Sequence, residues 1–185
     1  MTRVILLFSF FLTLLPPLTI YGADIIGAEV QVVNDEVLLT TGLRLDERGL
    51  ADLKNGISKE ITFHVGVYRV WKNWPDEFVW GKKIVRTLMG DPVKQEFIAT
   101  SSDGTTLVKK RFKDFDSMLT WALGIRELKL IHLQELQPAR YFVRVTAESR
   151  LRKLPPVIGY LFFFVPEKEF GVTRDSAVFT RGEVR

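Results

Sequence analysis

The chain has 185 residues, of which 46% are hydrophobic and 12% aromatic, which is enough for one well-packed domain and too short for two of ordinary size. The formal net charge of +4 is a mild imbalance, so the composition excludes the dense basic surface of a nucleic-acid-binding protein. The absence of cysteine excludes disulfides, thiolate metal sites and thiol catalysis.

Residues 1–23 have the pattern of a secretory signal peptide. One positive charge at Arg3 precedes a long apolar run, and Ala23 suits the position before a cleavage site. Tyr21 is large for its place before that site, so an uncleaved N-terminal anchor remains the alternative. In either case we expect residues 24–185 to form a single exported domain, in the periplasm or on the extracytoplasmic face of the cytoplasmic membrane.

Along the rest of the chain, hydrophobic residues recur with a period near two, which is typical of β-strands. Asn34 and Asp35 separate two such segments and predict a hairpin with a tight turn. Residues 61–71, ITFHVGVYRVW, predict a strand with one buried side. A proline turn at 73–77, NWPDE, leads into the next strand, FVWGKKIVRTL. Further strands are predicted at VKQEFIAT, TTLVKKRF, ELKLIHLQEL, ARYFVRVTAES and GVTRDSAVFT.

Two short helices interrupt this pattern. Residues 47–56, ERGLADLKNG, place Gly56 at a helix C-cap. In residues 114–124, DFDSMLTWALG, Asp114 is placed to cap the N-terminus and Gly124 can end the helix. Many strands with few helices predict a mainly β fold, an antiparallel β-sandwich-like domain with one or two short packed helices.

Three of the four tryptophans lie within residues 71–80, around the predicted proline turn. One interpretation is structural, because aromatic side chains stack across paired strands. The other is functional, because aromatic and basic residues together suit an anionic glycan, a lipid headgroup or an acidic protein loop. The functional interpretation defines a candidate binding patch: Arg69, Trp71, Trp74, Trp80, Lys82 and Lys83. If the patch binds, Trp74 should be its most exposed tryptophan, because the turn leaves the strand ladder.

A second candidate surface is residues 155–166, PPVIGYLFFFVP. This segment is too short to cross a bilayer as a helix. It either packs against the sandwich or forms an exposed apolar surface for a membrane or a partner protein.

Residues with catalytic chemistry are sparse. His64 and His132 each lie in a predicted strand, without a carboxylate or second histidine at ligand spacing. The serines lack the surroundings of a nucleophile elbow, and the paired carboxylates fit helix caps and turns. We therefore expect no metal, no cofactor and a non-catalytic binding module. A small envelope hydrolase and a carrier with an apolar cavity between its sheets are the alternatives.

Several stretches resemble a known family in their order along the chain. They are YRVWKNWPDEFVWGKKIVRTLMGDPVKQEF, DFDSMLTWAL, LQPARYFVRVTAESRLRKLPP and GVTRDSAVF. In these the chain is similar to the bacterial exported proteins grouped as domain of unknown function 4390. The resemblance implies an exported location and a membrane signalling protein as partner, and it implies no particular activity. The expected partner is an envelope protein or an anionic envelope component, not a nucleic acid, with 155–166 as a peripheral membrane contact.

Overall fold

The strands and helices lie in the three stretches that the computed structural model describes, residues 22–91, 93–150 and 168–182. The strands in these stretches are β1 (Asp24–Val33), β2 (Glu36–Arg44), β3 (Lys59–Arg69), β4 (Glu77–Asp91), β5 (Glu96–Ser102), β6 (Leu107–Phe112), β7 (Gly124–His132), β8 (Ala139–Arg150), β9 (Lys168–Asp175) and β10 (Phe179–Arg181). The helices are α1 (Glu47–Lys54) and α2 (Phe115–Leu123), and a 3-10 turn spans Leu133–Glu135.

Two antiparallel sheets form the body of the domain. The smaller has the order β1-β2-β7 and the larger the order β10-β8-β3-β4-β5-β6, with β9 also pairing with β8. Alternate residues of β2, β3 and β8 are buried, and they supply much of the core: Val37, Leu39, Leu43, Ile61, Phe63, Val65, Val67, Tyr141, Val143, Val145 and Ala147. The predicted mainly β, sandwich-like fold with packed helices is confirmed.

The predicted hairpin at the start of the domain is also confirmed. Val33 pairs with Glu36, which leaves Asn34 and Asp35 as a two-residue turn between β1 and β2. Both turn residues have positive φ angles, 51° and 63°. Asn and Asp tolerate this left-handed region better than other non-glycine residues, so the pair suits the turn it occupies.

Two predicted strands end earlier than expected. The strand predicted for residues 61–71 ends at Arg69, so Trp71 lies in the loop that follows. The strand predicted for residues 127–136 begins at Gly124 and ends at His132, where the 3-10 turn takes over. Leu133 N–H donates to the carbonyl of Asp35 at 2.6 Å, so the 3-10 turn begins opposite the β1–β2 turn, beyond the end of β2.

The last predicted strand, residues 171–180, is divided into β9 and β10 by a break at Ser176. Val143 of β8 donates its N–H to Ser176 Oγ at 2.9 Å, while Ser176 N–H donates to the Val143 carbonyl at 2.8 Å. The serine hydroxyl thus replaces a backbone acceptor, so the interruption leaves no unpaired N–H on Val143.

Both helices have an aspartate N-cap. Asp46 accepts a hydrogen bond from Gly49 N–H at 2.8 Å, and Asp114 accepts one from Ser117 N–H at 2.7 Å. The second of these was predicted from the sequence. α1 ends at its C-cap residue Asn55, with the predicted Gly56 next to it at a φ of 83°. That conformation favours glycine.

α2 ends in a different way, since Gly124 is extended and continues directly into β7. A Cβ at this position would lie 2.7 Å from the Thr120 carbonyl oxygen, so the tight junction requires glycine. The last turn of α2 contains no basic residue, but Arg86 of β4 donates from Nη1 to the Trp121 carbonyl at 2.6 Å. A cation at this end stabilises the helix dipole and fixes α2 against the larger sheet.

A buried ion-pair cluster joins four elements at the start of β3. Lys59, which is 2% exposed, donates to Asp52 of α1 at 3.2 Å and to Glu169 of β9. Ser149 of β8 donates to the other carboxylate oxygen of Glu169 at 3.0 Å. Because a buried ammonium must be paired, this cluster fixes α1 and β9 relative to β3.

Asp114→Ala should lower the melting temperature by about 2 to 4 °C, as expected for loss of an N-cap in a domain of this size. The hydrogen bonds from Ser117 lower the pKa of Asp114. The cap therefore contributes its full stability to the folded protein at pH values above the carboxyl pKa of the unfolded chain. This contribution is lost as the pH falls through the lower pKa that Asp114 has in the folded protein. The difference in melting temperature between the parent protein and Asp114→Ala should become smaller below about pH 4. Asp116→Ala is the control, and an equal effect from it in thermal melts would contradict the cap.

Lys59→Met should lower the free energy of unfolding by about 3 to 5 kcal/mol, because it leaves two carboxylates without their cation. Lys129→Met is the matched control, since Lys129 pairs with Glu36 at an exposed site and its loss should cost less than about 1 kcal/mol. Adding Glu169→Gln to Lys59→Met should restore part of the stability. Urea melts showing the same loss for both lysine variants would count against the buried cluster.

Candidate functional site

The loop of residues 70–76 between β3 and β4 carries the most exposed tryptophans of the chain's described part. Trp74 is 77% exposed and Trp71 is 42% exposed, whereas Trp80 is half-buried against the core. The order of exposure predicted from the sequence is therefore confirmed. Trp74 precedes Pro75 at the outermost part of this loop, where no strand ladder covers its ring.

Arg69 holds the base of this loop. Its guanidinium lies over the Trp71 ring, 4.3 Å from the ring centroid, and Nη1 donates to Gln137 Oε1 at 2.9 Å. Glu77 completes the arrangement: it lies 3.8 Å from Arg69 Nη1 and accepts a hydrogen bond from Trp71 Nε1 at 3.2 Å. Each side chain limits the rotamers of the others, so Trp71 has a fixed orientation before any partner binds.

A β-bulge in β4 separates two neighbouring aromatic residues onto opposite faces of the larger sheet. Trp80 pairs with Val67, but the next pair is Phe78 with Tyr68, so Val79 is an extra residue on β4. Trp80 consequently lies on the inner face, where Val67 is buried. Phe78 lies on the outer face and is 59% exposed.

The remaining basic residues of the predicted patch are also divided between faces. Lys82 pairs with the inward Val65, and its ammonium contacts Asp103 at 2.8 Å. This contact is the main cause of the lowered pKa of Asp103. Lys83 pairs with His64 on the outer face. The structure thus brings Arg69, Trp71 and Trp74 together at the loop and places Trp80, Lys82 and Lys83 elsewhere.

An outer aromatic cluster, formed by Tyr68, Phe78 and Phe142, adjoins the loop and was not predicted as a site. Tyr68 stacks on Phe142 with ring centroids 5.4 Å apart and meets Phe78 edge-on at 5.6 Å. The Arg144 guanidinium lies 5.2 Å from the Tyr68 and Phe142 centroids. Asp175 binds this guanidinium with two 2.7 Å hydrogen bonds, which raise the pKa of Arg144.

Two glycines in facing strands allow the outer aromatic cluster to lie flat on the sheet. Gly66 pairs with Gly81. A Cβ on Gly66 would lie 2.8 Å from the Tyr68 ring, and one on Gly81 would lie 2.7 Å from the Phe78 ring. Glycines inside strands of this kind indicate close approach of other atoms, and this is the sequence signal that could have located the cluster.

The two histidines do not form a recognisable catalytic arrangement in the described part of the chain. His64 Nε2 lies 3.5 Å from Glu148 on the outer face, with 48% of its side chain exposed. His132 Nε2 lies 4.0 Å from Glu36 beside a small cavity of about 250 Å³. Neither histidine is hydrogen-bonded to a serine among the residues described.

The space between the sheets is filled by side chains, as the near-zero exposure of Leu39, Phe63 and Val143 shows. An apolar groove of about 420 Å³ lies instead beside the helices, where Leu50 of α1 and Leu119 of α2 approach β2. Around these three residues, core packing thus occupies the place where an apolar-ligand carrier was expected to have a cavity.

Other features of the described residues bear on metals and membranes. No cluster of three or more histidine, aspartate or glutamate side chains is placed to hold a metal ion within the three described stretches. The helices found there are too short or too polar to cross a membrane. The second predicted surface, residues 155–166, lies outside the described residues.

Comparison with known proteins gives a family and no characterised relative. No curated protein matches the chain. No solved structure matches it. The family model described as "Domain of unknown function (DUF4390)" matches residues 22–177, so the chain belongs to this family.

Proposed function

We propose that this protein is a non-catalytic binding module of the cell envelope that contacts a protein partner through the tip of the β3–β4 hairpin. The observation that carries the proposal is the exposure of large aromatic side chains there: 77% for Trp74, 59% for Phe78 and 42% for Trp71. We call these three residues and Arg69 the hairpin tip surface. Soluble domains seldom leave such a patch uncovered, and Trp and Arg dominate the binding energy of protein interfaces.

The hairpin tip surface is also rigid at its base. The contacts of Arg69 with Trp71, Gln137 and Glu77 hold one tryptophan in place, and the outer aromatic cluster holds Phe78 against Tyr68. Because these side chains are already ordered, binding at this surface loses less side-chain entropy than binding at a mobile loop would. The smaller entropy loss strengthens binding.

The charges around the loop favour a protein over an anionic lipid surface. Arg69 and Lys72 are basic, but Asp76 and Glu77 lie in the same hairpin, so the local charge is balanced. An anionic membrane attracts clusters of basic residues and repels carboxylates, whereas a protein surface can match both signs.

The second surface proposed from the sequence, residues 155–166, rests on its apolar composition alone. We propose it as a peripheral membrane contact, independent of the hairpin tip surface. A membrane signalling protein with an extracytoplasmic part is the partner class we propose.

Export is the part of this proposal that rests on the N-terminal sequence. Arg3, the apolar run after it and Ala23 support a signal peptide or an N-terminal anchor. Fractionation of cells should recover the domain outside the cytoplasm. Recovery of the full-length chain from the soluble cytoplasm would overturn this location.

Trp74→Ala combined with Phe78→Ala should abolish photo-crosslinking from residue 72 to a specific envelope protein in intact cells. Both side chains are largely exposed, and Phe78→Ala removes one edge-on contact with Tyr68, so the double variant should lower the free energy of unfolding by no more than about 1.5 kcal/mol. Leu107→Ala is the control, because Leu107 is 71% exposed on β6, away from the hairpin. It should leave crosslinking unchanged.

Three outcomes would count against the proposal. The double variant could keep its crosslink, the Leu107 control could lose it, or the adduct could be lipid or glycan instead of protein. Trp80→Ala serves as a stability reference, since a tryptophan packed against the core should cost more than about 2 kcal/mol when truncated.

A further inference from the structure

A pocket of about 580 Å³ lies between α2, β4 and the start of β7. Its lining includes two arginines, Arg86 and Arg126, together with Trp121 and the hydroxyl-bearing Ser117 and Thr120 of α2. This pocket is separate from the hairpin tip surface, because none of its lining residues belongs to that surface.

The guanidinium of Arg86 is partly buried, and one of its nitrogens lacks a hydrogen-bond partner among the described residues. Nη1 donates to the carbonyls of Trp121 at 2.6 Å and Ala122 at 3.5 Å. Nε is buried and has no hydrogen-bond partner among the described residues. The contacts of Arg86 within the described stretches are these carbonyls and the Trp121 ring, whose centroid is 4.9 Å away, and none is a carboxylate.

The end of α2 neutralises this charge only in part. A helix C-terminus carries about half a negative charge. Burial lowers the pKa of Arg86, but an arginine side chain stays protonated in proteins. A partly desolvated cation without a full counter-charge is unfavourable, so an anion that reaches the guanidinium from the pocket would stabilise this arrangement.

We propose that this pocket binds a small molecule bearing a single carboxylate, which Arg86 and Arg126 hold. Both arginines line the same pocket, and Arg126 is exposed, so its guanidinium is free to turn toward a ligand. Trp121 also lines the pocket, and its indole ring suits a ligand with a hydrophobic or aromatic body.

The other end of α2 limits the charge of the ligand. Asp114 and Asp116 also line the pocket, five or more residues before Trp121 along the helix, which corresponds to about 8 Å at 1.5 Å per residue. Their carboxylates repel a second negative charge. A monocarboxylate should therefore bind better than inorganic phosphate.

The test is a titration of the intact exported domain with sodium benzoate, acetate and inorganic phosphate, followed by NMR chemical shifts and by melting temperature. Benzoate should bind saturably, more tightly than acetate or phosphate, and should raise the melting temperature. Arg126→Gln should weaken benzoate binding about tenfold, because removal of one charge-assisted hydrogen bond has an effect of this size. The variant should stay folded, because Arg126 is exposed.

Two matched variants make the outcome specific. Lys109→Gln removes an exposed cation on β6 outside the pocket and should leave benzoate binding unchanged. Trp74→Ala with Phe78→Ala should also leave it unchanged, which separates this site from the proposed protein contact. Absence of saturable benzoate binding, tighter binding of phosphate, or equal losses from Arg126→Gln and Lys109→Gln would overturn the proposal.

Discussion

The strand β3 must bury one face along its full length, and the rest of the fold follows from how this is achieved. Ile61, Phe63, Val65 and Val67 are buried in the core that both sheets share, but the same face begins with Lys59. An ammonium in this position needs carboxylates, and these come from α1 and β9. The apolar part of β3 thus determines how the sheets pack, while its single charge determines where a helix and a late strand attach.

Interactions between residues close together in the sequence could be predicted from it. Interactions that depend on the register between paired strands could not. The turn at Asn34 and Asp35 and the cap at Asp114 depend on residues three or fewer positions away, so their patterns are visible in the sequence. The bulge at Val79 changes which face each side chain occupies, and nothing in the alternation of apolar residues indicates it. For this reason the predicted patch combined Trp80, an inward residue, with Trp74 at the tip.

The outer aromatic cluster was missed for a related reason. Tyr68 and Phe142 lie far apart in sequence and meet only because β3 pairs with β8 in a particular register. The facing glycines Gly66 and Gly81 are the one local sign of the cluster. Strand pairing of this kind depends on contacts across the whole sheet, and one amino-acid sequence read alone does not specify those contacts.

Two arginines of the larger sheet show how similar side chains acquire different roles. Arg69 is paired with Glu77 and Gln137 and serves to orient Trp71. Arg86, within the part of the chain that the structure describes, meets carbonyls and a ring and no carboxylate. The difference lies in the neighbours that the fold supplies, since the two residues have the same chemistry.

The bulge at Val79 has an evolutionary consequence. By placing Phe78 and Trp80 on opposite faces, it separates a residue that contacts the surroundings from one that maintains the interior, although only one position lies between them. Substitutions at residue 78 and in the adjoining loop can accumulate without disturbing the interior contacts of residue 80. The outer surface of this hairpin can therefore vary in sequence while the sandwich stays the same.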